Sequence, residues 1–293
     1  MNILITGGTG FIGSALTNFF LRQGHNIIIL AHNTAKLQKV RIIKSIEQIN
    51  PDEKIDVIIN LAGAPINKRW SDSYKELLIS SRLEVTQNLI LLIKSLKIKP
   101  DVLISASAIG YYGTQNHKYI DEKSSYIDDF THKLCDLWES EARKAEKLGV
   151  RTCVARLGVV LGKNGGALKK ILPIFRLGLG GKIGSGKQFF SWVHLDDVIG
   201  VFNFLIENKK QKGIFNLTSP NPITNYRFTR ILGRILNRPT IFTVPVFAIK
   251  IIFGEMGEKL LLNGAAIYPR KLLDNGYKFQ FETAESALES ILK

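Results

Sequence analysis

Apolar residues occur along the chain in two patterns, short uninterrupted runs and longer stretches in which they recur every three or four positions. The short runs are typical of strands that are buried on both faces of a parallel sheet, and they fall at residues 2–6, 26–30, 54–65, 101–113 and 150–162. The helical spacing predicts amphipathic helices between Gly10 and Gly24, over 71–97, over 130–148 and over 197–206. This alternation predicts an α/β fold with a doubly wound parallel sheet of the Rossmann type.

Three glycines, Gly7, Gly10 and Gly13, separate the first predicted strand from the first predicted helix. In this arrangement the first glycine permits a sharp turn, the second lets a pyrophosphate approach the backbone, and the third lets the helix pack on the strand. The helix N-terminus then offers free N–H groups to the phosphates. The pattern predicts a dinucleotide site, and its predicted contacts in this loop are Gly7, Thr9, Gly10, Phe11, Ile12 and Gly13.

The second predicted strand indicates which dinucleotide binds. An NAD-binding chain usually has a carboxylate here for the ribose 2′-hydroxyl, whereas this strand is followed by "LAHNTAKL" with no acid. His32, Asn33 and Lys36 stand there instead, and a cation or an amide accepts a 2′-phosphate that a carboxylate repels. We therefore expect NADP(H), with His32 and Asn33 among its contacts.

Polar and small residues follow the next strands, where a parallel sheet binds its ligands. The loop "NLAGAP" and the strand "SASAIGYYG" predict further cofactor contacts, together with an arginine inside the 71–97 helix: Asn60, Leu61, Ala62, Gly63, Arg82 and Ser105. Ser107, Tyr111 and Tyr112 fall at the same edge and are the candidate catalytic residues. The alternative for the tyrosines is that one packs in the core and the other only lines the pocket.

Six segments together resemble the epimerase-family-protein branch of the extended short-chain dehydrogenase/reductases: "ITGGTGFIG", "NLAGAPINKRW", "SASAIGYYG", "RLGVVLGKNGGAL", "FRLGLGGKIGSGKQFFSWVHLDD" and "NLTSPNPITN". The resemblance includes a C-terminal segment similar to a domain of unknown function. It implies a nicotinamide-binding Rossmann domain over 1–165, to which 190–218 returns, and a smaller substrate subdomain over 166–189 and 219–293. Relatives in plastids and cyanobacteria are linked to division, which implies a regulatory alternative.

The resemblance also implies a substrate side lined by Gln188, Trp192 and His194. Arg69 and Trp70, which follow the "NLAGAP" loop, are further candidates. An arginine there favours an anionic or sugar-like substrate, and the alternative is an ordinary surface arginine.

The chain departs from the family at the catalytic dyad. Extended short-chain dehydrogenases place Tyr-x-x-x-Lys on the helix after the fifth strand, and here those positions fall near Thr131 and Cys135. Tyr119 and Lys123 have the right spacing, but they lie in a predicted polar loop, so we treat them as a chance match. Proton transfer is therefore assigned to Tyr111 or Tyr112, with Ser107 orienting the substrate oxygen, while Cys135 is expected to be a buried packing residue.

The net charge of +15 raises the question of nucleic-acid binding. The basic residues are scattered and form no stripe interleaved with aromatics, so we expect no nucleic-acid partner, although weak attraction to a membrane surface stays open. The segment "GKIGSGK" has the glycine spacing of a P-loop but lacks the Ser or Thr that should follow and bind magnesium, so we do not predict an ATP site. "WVHLDD" lacks metal-ligand spacing, which favours Asp196 or Asp197 as a helix N-cap over a metal site.

The remaining features point to an ordinary cytoplasmic protein. No signal peptide or membrane span is predicted, and the two cysteines fit a reducing compartment. We expect a monomer or homodimer that acts on a small molecule. The two hypotheses are an NADP(H)-dependent oxidoreductase or epimerase for a small polar or nucleotide-linked carbonyl or alcohol, and a cofactor-binding regulatory protein without turnover.

Overall fold

The computed structural model describes residues 1–31, 39–115 and 119–293. Its strands are β1 (Asn2–Thr6), β2 (Asn26–Leu30), β3 (Val40–Ile43), β4 (Val57–Asn60), β5 (Val102–Ala108), β6 (Tyr119–Ile120), β7 (Arg151–Leu157), β8 (Val159–Leu161), β9 (Gly181–Ile183), β10 (Phe189–Phe190), β11 (Trp192–His194), β12 (Gly213–Leu217), β13 (Ile223–Thr224), β14 (Phe242–Val244) and β15 (Ala266–Ile267). Its α-helices are α1 (Phe11–Arg22), α2 (Asp72–Ser95), α3 (Phe130–Ala142), α4 (Gly166–Arg176), α5 (Leu195–Glu207), α6 (Asn225–Ile235), α7 (Val246–Gly257), α8 (Arg270–Asp274) and α9 (Ala284–Leu292).

Seven strands form one parallel sheet in the order β12-β7-β5-β4-β1-β2-β3. The strand order reverses at β1, which leaves a crevice beyond the carboxyl ends of β1 and β4, the usual ligand position in such sheets. The predicted doubly wound Rossmann sheet is therefore confirmed.

Helices cover both faces of this sheet. On one face α1 packs against α5, with Leu16, Phe20 and Phe202 in the shared core. On the other face α2 packs against α3, where Leu89 and Ile93 meet the sheet. Because both faces are covered, the central strands have apolar side chains on each side, which explains their uninterrupted apolar runs.

Side chains set the starts of the main helices. Ser71 Oγ accepts a hydrogen bond from the backbone of Tyr74 at the start of α2, and Asp129 caps α3 in the same way. At the start of α5 the cap is His194, whose Nδ1 accepts from the Asp196 backbone N–H at 3.1 Å. The prediction that Asp196 or Asp197 caps this helix is therefore wrong, since both lie inside its first turn.

A separate hydrophobic cluster joins α4, α6 and α9, with Leu172, Phe228 and Leu288 among its members. The predicted division of the chain at residue 165 stays a prediction, and this cluster is the observation in its favour. The glycine-rich segment 178–186 contains β9, which pairs with β14. Within the described ranges, none of the helices has both the length and the apolar character that crossing a membrane requires.

Candidate functional site

The glycine loop after β1 holds a geometry that side chains would obstruct. Gly7 has φ +66°, and a Cβ built on Gly13 would fall 2.2 Å from the Gly7 carbonyl oxygen. Gly10 is the N-cap of α1 and contributes no capping side chain. The N–H groups of the first helical turn therefore stay available to an anion in the crevice.

A cleft of about 480 Å³ opens beside this loop. It brings together six of the predicted cofactor residues, namely Gly7, Thr9, Gly10, Leu61, Ala62 and Gly63. Phe11 is directed elsewhere, because its ring packs against Gly162, Gly165 and Gly166. Ile12 packs against the core. His32 and Asn33 lie outside the described residues.

The cleft also has walls that sequence reasoning missed. Lys44, Ser45, Ile46 and Glu47 follow β3, and Val85 and Asn88 project from α2. Because Leu30 pairs with Ile43, Lys44 lies next to the end of β2, where a dinucleotide places its ribose. The signal was the short apolar run "VRII" at 40–43, which predicts a strand only when β2 is seen beside it.

Asn60 and Ser105 are buried beneath the cleft. The Thr6 hydroxyl donates to Asn60 Oδ1 at 2.7 Å, and Asn60 Nδ2 donates to Thr86 and Ser105. Thr6 Oγ1 in turn accepts from the backbone N–H groups of Leu61 and Ala62. Both predicted contacts are buried in this network, so they hold the cleft loops in place instead of facing a ligand.

Arg82 likewise supports a loop. Its guanidinium donates to the backbone carbonyls of Leu78 and Ala64 and lies against the Trp138 ring. Burial lowers the pKa of this guanidinium. A Cβ on Gly63 would fall 2.9 Å from Arg82 Cζ, so a larger residue at position 63 would require the arginine side chain to move.

Ser107 belongs to a buried ion-pair network at the end of β5. Its hydroxyl donates to Glu139 Oε1 at 2.6 Å, and Arg156 holds both oxygens of the same carboxylate at 2.8 Å. The bonds with Glu139 outweigh the desolvation of Arg156 by burial and raise the pKa of the guanidinium. A serine has one hydroxyl proton, and here Glu139 receives it, so Ser107 does not donate to a substrate oxygen in this state.

The two candidate tyrosines differ in environment. Tyr112 is fully buried, and its phenol donates to Asn216 Oδ1 at 2.8 Å. Burial raises the pKa of this phenol to about 12. Tyr111 is half-buried, and the Arg156 guanidinium carbon lies 3.3 Å from its ring centroid. The catalytic prediction for Tyr112 is therefore corrected, because its hydroxyl is buried and bonded to Asn216, and Tyr111 is the remaining one of the two candidate phenols.

Helix α3 places Thr131 and Cys135 against the end of β5. Cys135 Sγ lies 3.6 Å from the Ala108 carbonyl oxygen, and Thr131 Oγ1 donates to Asp129. Burial raises the pKa of the Cys135 thiol to about 12, which suits the predicted packing role and not a nucleophile. The Tyr119 and Lys123 pair is not on a helix: Tyr119 is in β6 with 74 % of its surface exposed.

None of the five predicted substrate-side residues presents a free polar group to an open cleft in the described structure. Arg69 donates to the Ile251 carbonyl at 2.7 Å, and Gln188 donates to the carbonyls of Ile183 and Leu261. Trp70 and Trp192 are buried, and His194 caps α5. Their observed contacts are with other segments of the same chain. That these residues contact a substrate stays a prediction.

Comparison with known proteins gives two family matches. The family described as "NAD dependent epimerase/dehydratase family" matches residues 3–218, and the "Domain of unknown function (DUF1731)" matches residues 244–291. The Bacillus subtilis epimerase family protein YfhF is 38% identical, covering 100% of this chain and 98% of that protein. The chloroplastic SDR39U1 homolog of Arabidopsis thaliana is 36% identical, covering 100% of this chain and 87% of that protein.

Solved structures agree with these matches. The human epimerase family protein SDR39U1 (isoform 2), crystallised with NADPH, superposes with a TM-score of 0.92 at 33% identity and covers 99% of both chains. The Bacillus cereus UDP-glucuronic acid 4-epimerase shares the fold, with a TM-score of 0.79 at 18% identity over 99% of this chain and 98% of that one. With the glycine loop, the reversal at β1 and a family match over most of its length, this chain belongs to the NAD-dependent epimerase/dehydratase family.

Proposed function

We propose that this protein binds NADP(H) and reduces a small polar or nucleotide-linked carbonyl compound in the cytoplasm. The observation that supports the proposal best is the cleft itself. It joins the Gly7–Gly10 turn, the open first turn of α1 and the Leu61–Gly63 loop. Such a site offers backbone N–H groups and a helix dipole to a pyrophosphate.

The choice of NADP(H) rests on charge. The residues that line the cleft include the cation Lys44 at the end of β3, and residues 30–37 contain no acid. Glu47 also lines the cleft, so the two charges sit on the same wall and a 2′-phosphate would have to pair with Lys44. The NADPH in the human SDR39U1 crystal structure supports the same choice.

The proposed chemistry uses Tyr111 as the proton donor. Bound NADPH would supply a hydride, and the substrate oxygen would take its proton from the Tyr111 phenol. Arg156 holds the tyrosine ring by a cation–π contact, and Glu139 holds Arg156. Because Cys135 stands where the usual dyad has its lysine, we expect slow turnover that favours carbonyl reduction over alcohol oxidation.

A second candidate is a cofactor-binding regulatory protein without turnover. Thr131 and Cys135 occupy the dyad positions, and neither has an acidic or basic function there. The Ser107 proton is also committed to Glu139. These observations favour a site that senses the cofactor without using it.

Transfer of a labelled hydride distinguishes the two candidates. The protein would be incubated with NADPH deuterated on the nicotinamide and with a panel of carbonyl compounds, including nucleotide-linked sugars, and the products analysed by mass spectrometry. Deuterium in a product alcohol is the expected result. Tight NADPH binding with no labelled product from any compound would favour the regulatory candidate.

Cofactor binding is tested separately with Gly10→Val. The added side chain would project from the N-cap of α1 into the phosphate path, so we expect fluorescence titration to show no binding of NADPH or NADH. The exposed variant Lys147→Ala is the control and should bind as the wild type does. Retained binding in Gly10→Val would contradict the proposed site.

A further inference from the structure

Ten of the eighteen large apolar side chains that the described structure exposes lie in two segments, 166–190 and 225–254. These segments make up less than a fifth of the chain. The exposed residues are Ile174, Leu177, Leu179, Tyr226, Ile241, Phe242, Val246, Phe247, Ile251 and Ile252. Scattered apolar residues on a surface need no explanation, but such a concentration marks a contact surface.

The two segments adjoin in space. β9 pairs with β14 in the register Gly181↔Phe242 and Ile183↔Val244. On one side of this pair, Gly178 approaches Pro239, and on the other, Gly184 approaches Val246. Helix α6 adjoins β9 as well, since Gly186 approaches Tyr226. The α4–β9 region, α6, β14 and the start of α7 therefore form one continuous surface, which we call the basic apolar face.

Charge on this face has a single sign. The two segments contain ten Lys and Arg residues and no Asp or Glu, within a chain whose net charge is +15. Seven of the ten have no carboxylate within 4.0 Å among the described residues, namely Lys169, Lys170, Arg176, Lys182, Lys187, Arg230 and Arg238. The other three pair with acids that lie outside the two segments: Glu258 lies 3.3 Å from Lys250, and Glu285 lies 3.9 Å from Arg227 and Arg234.

Helix α7 shows that the exposed apolar side is separate from the core side. Ile249 is buried, and so is Met256, which lies beyond the kink at Gly254 and packs with Trp70 and Leu78. On the opposite side Phe247 and Ile251, one turn apart, have 67% and 68% of their surface exposed, with Lys250 between them. The helix therefore has one apolar stripe for the protein and a second one that the fold leaves uncovered.

We propose that the basic apolar face docks on an anionic lipid surface, with Phe247 and Ile251 entering the interface and the Lys and Arg residues meeting the headgroups. An interfacial helix of this type gains from apolar burial and from attraction to anionic lipids. A second copy fits less well, because a symmetric pair would bring two predominantly basic surfaces together. A nucleic acid would contact the cations but would leave these aliphatic side chains exposed to water.

Vesicle flotation of the full-length protein tests the proposal. We expect binding to vesicles of phosphatidylcholine mixed with phosphatidylglycerol, none to pure phosphatidylcholine, and release at high salt, because the Debye length shrinks to about 3 Å at 1 M. Phe247→Ser/Ile251→Ser should weaken binding by about tenfold or more. Leu77→Ser/Leu91→Ser, which removes exposed apolar side chains of α2, is the matched control and should bind as the wild type does.

The ionic part is tested with Arg230→Gln/Arg238→Gln. Because each Lys or Arg near an anionic surface adds to the attraction, this variant, which removes two charges, should lose about tenfold or more in vesicle affinity. Lys133→Gln/Lys147→Gln removes the same charge elsewhere and should lose much less.

Three results would overturn the proposal. The first is equal wild-type binding to neutral and anionic vesicles, or binding to neither. The second is a stable dimer by light scattering that becomes monomeric in Phe247→Ser/Ile251→Ser, which would assign the face to a second copy. The third is a DNA duplex that displaces the vesicles and binds the apolar variant as tightly as the wild type.

Discussion

Lys44 is the residue that best explains a preference for NADPH among the described side chains of the cleft. It lies beside the end of β2, and a hydrogen bond to a charged partner contributes about 1.5–3 kcal/mol. Because Lys44 is exposed, we expect Lys44→Ala to weaken NADPH binding by about tenfold and to leave NADH binding unchanged. Fluorescence titration of both cofactors measures the ratio, with Lys147→Ala as the control. Equal losses for both cofactors would place the 2′-phosphate elsewhere.

The buried pair of Glu139 and Arg156 is a second residue-scale test. Their side chains are only 5% and 2% exposed, so removing one partner leaves an uncompensated buried charge. We expect Arg156→Met to lower the free energy of unfolding by about 3–5 kcal/mol, while Glu139→Leu/Arg156→Met, which removes both charges, should lose much less. Urea unfolding measures both variants. A single and a double variant of equal stability would show that the pair does not act as a unit.

The sequence predicted several residues that line the cleft, but it did not predict the contacts that the side chains around the cleft make. The glycine spacing predicts the cleft because backbone geometry there depends on the local sequence alone. Glu139 and Arg156 were missed because the two residues are seventeen positions apart and meet only when α3 lies over β5 and β7. Ser107 was predicted to face a substrate, and only that packing shows that its hydroxyl is already bonded.

At the scale of elements, the first strands followed from their apolar runs, and the later ones needed tertiary information. The run 150–162 is divided into β7 and β8 at Gly158, where a Cβ would fall 2.8 Å from the Ser191 carbonyl oxygen. Because this contact joins parts of the chain that are far apart in sequence, the local pattern could not predict where the strand divides. The predicted helix 130–148 is α3 followed by a 3-10 segment over Arg143–Leu148, and the apolar spacing does not distinguish the two helix types.

Asp197 in α5 connects this helix to the C-terminal segment. Its two carboxylate oxygens accept from the backbone N–H groups of Gln280 and Phe281 at 2.7 and 3.1 Å. Burial raises the pKa of Asp197 from its ordinary 3.8 to about 6. Between these two values the folded protein keeps a proton that the unfolded chain releases, so the contribution is greatest below pH 4 and declines as the pH rises to 6.

We therefore expect the wild type to lose about 1–2 kcal/mol of stability across this window relative to Asp197→Asn, which has no ionisable group there. Chemical unfolding of both proteins at several pH values gives the difference. A difference that stays constant from pH 4 to pH 6 would mean that Asp197 does not titrate in this range.

For the whole molecule, the proposed account has three separate sites. The candidate cofactor cleft lies at the carboxyl edge of the sheet, Tyr111 follows β5, and the basic apolar face is formed by the later segments that contain α4, β9, β14 and α7. Arg69 links the loop after β4 to α7 through the Ile251 carbonyl. Docking of α7 on a surface would therefore act next to the loop that borders the cofactor cleft.

The central claim is that Tyr111 transfers the proton during carbonyl reduction by NADPH. Single-turnover NADPH oxidation, with a carbonyl compound that accepts the labelled hydride, tests it in the wild type, Tyr111→Phe and Tyr112→Phe. General acid assistance is typically worth about 10²–10⁴-fold, and Tyr111→Phe should lose that much with NADPH affinity unchanged. Tyr112→Phe should keep the wild-type rate and lose about 1–3 kcal/mol of stability, because Asn216 then lacks its donor. A Tyr111→Phe protein that oxidises NADPH at the wild-type rate would contradict the account.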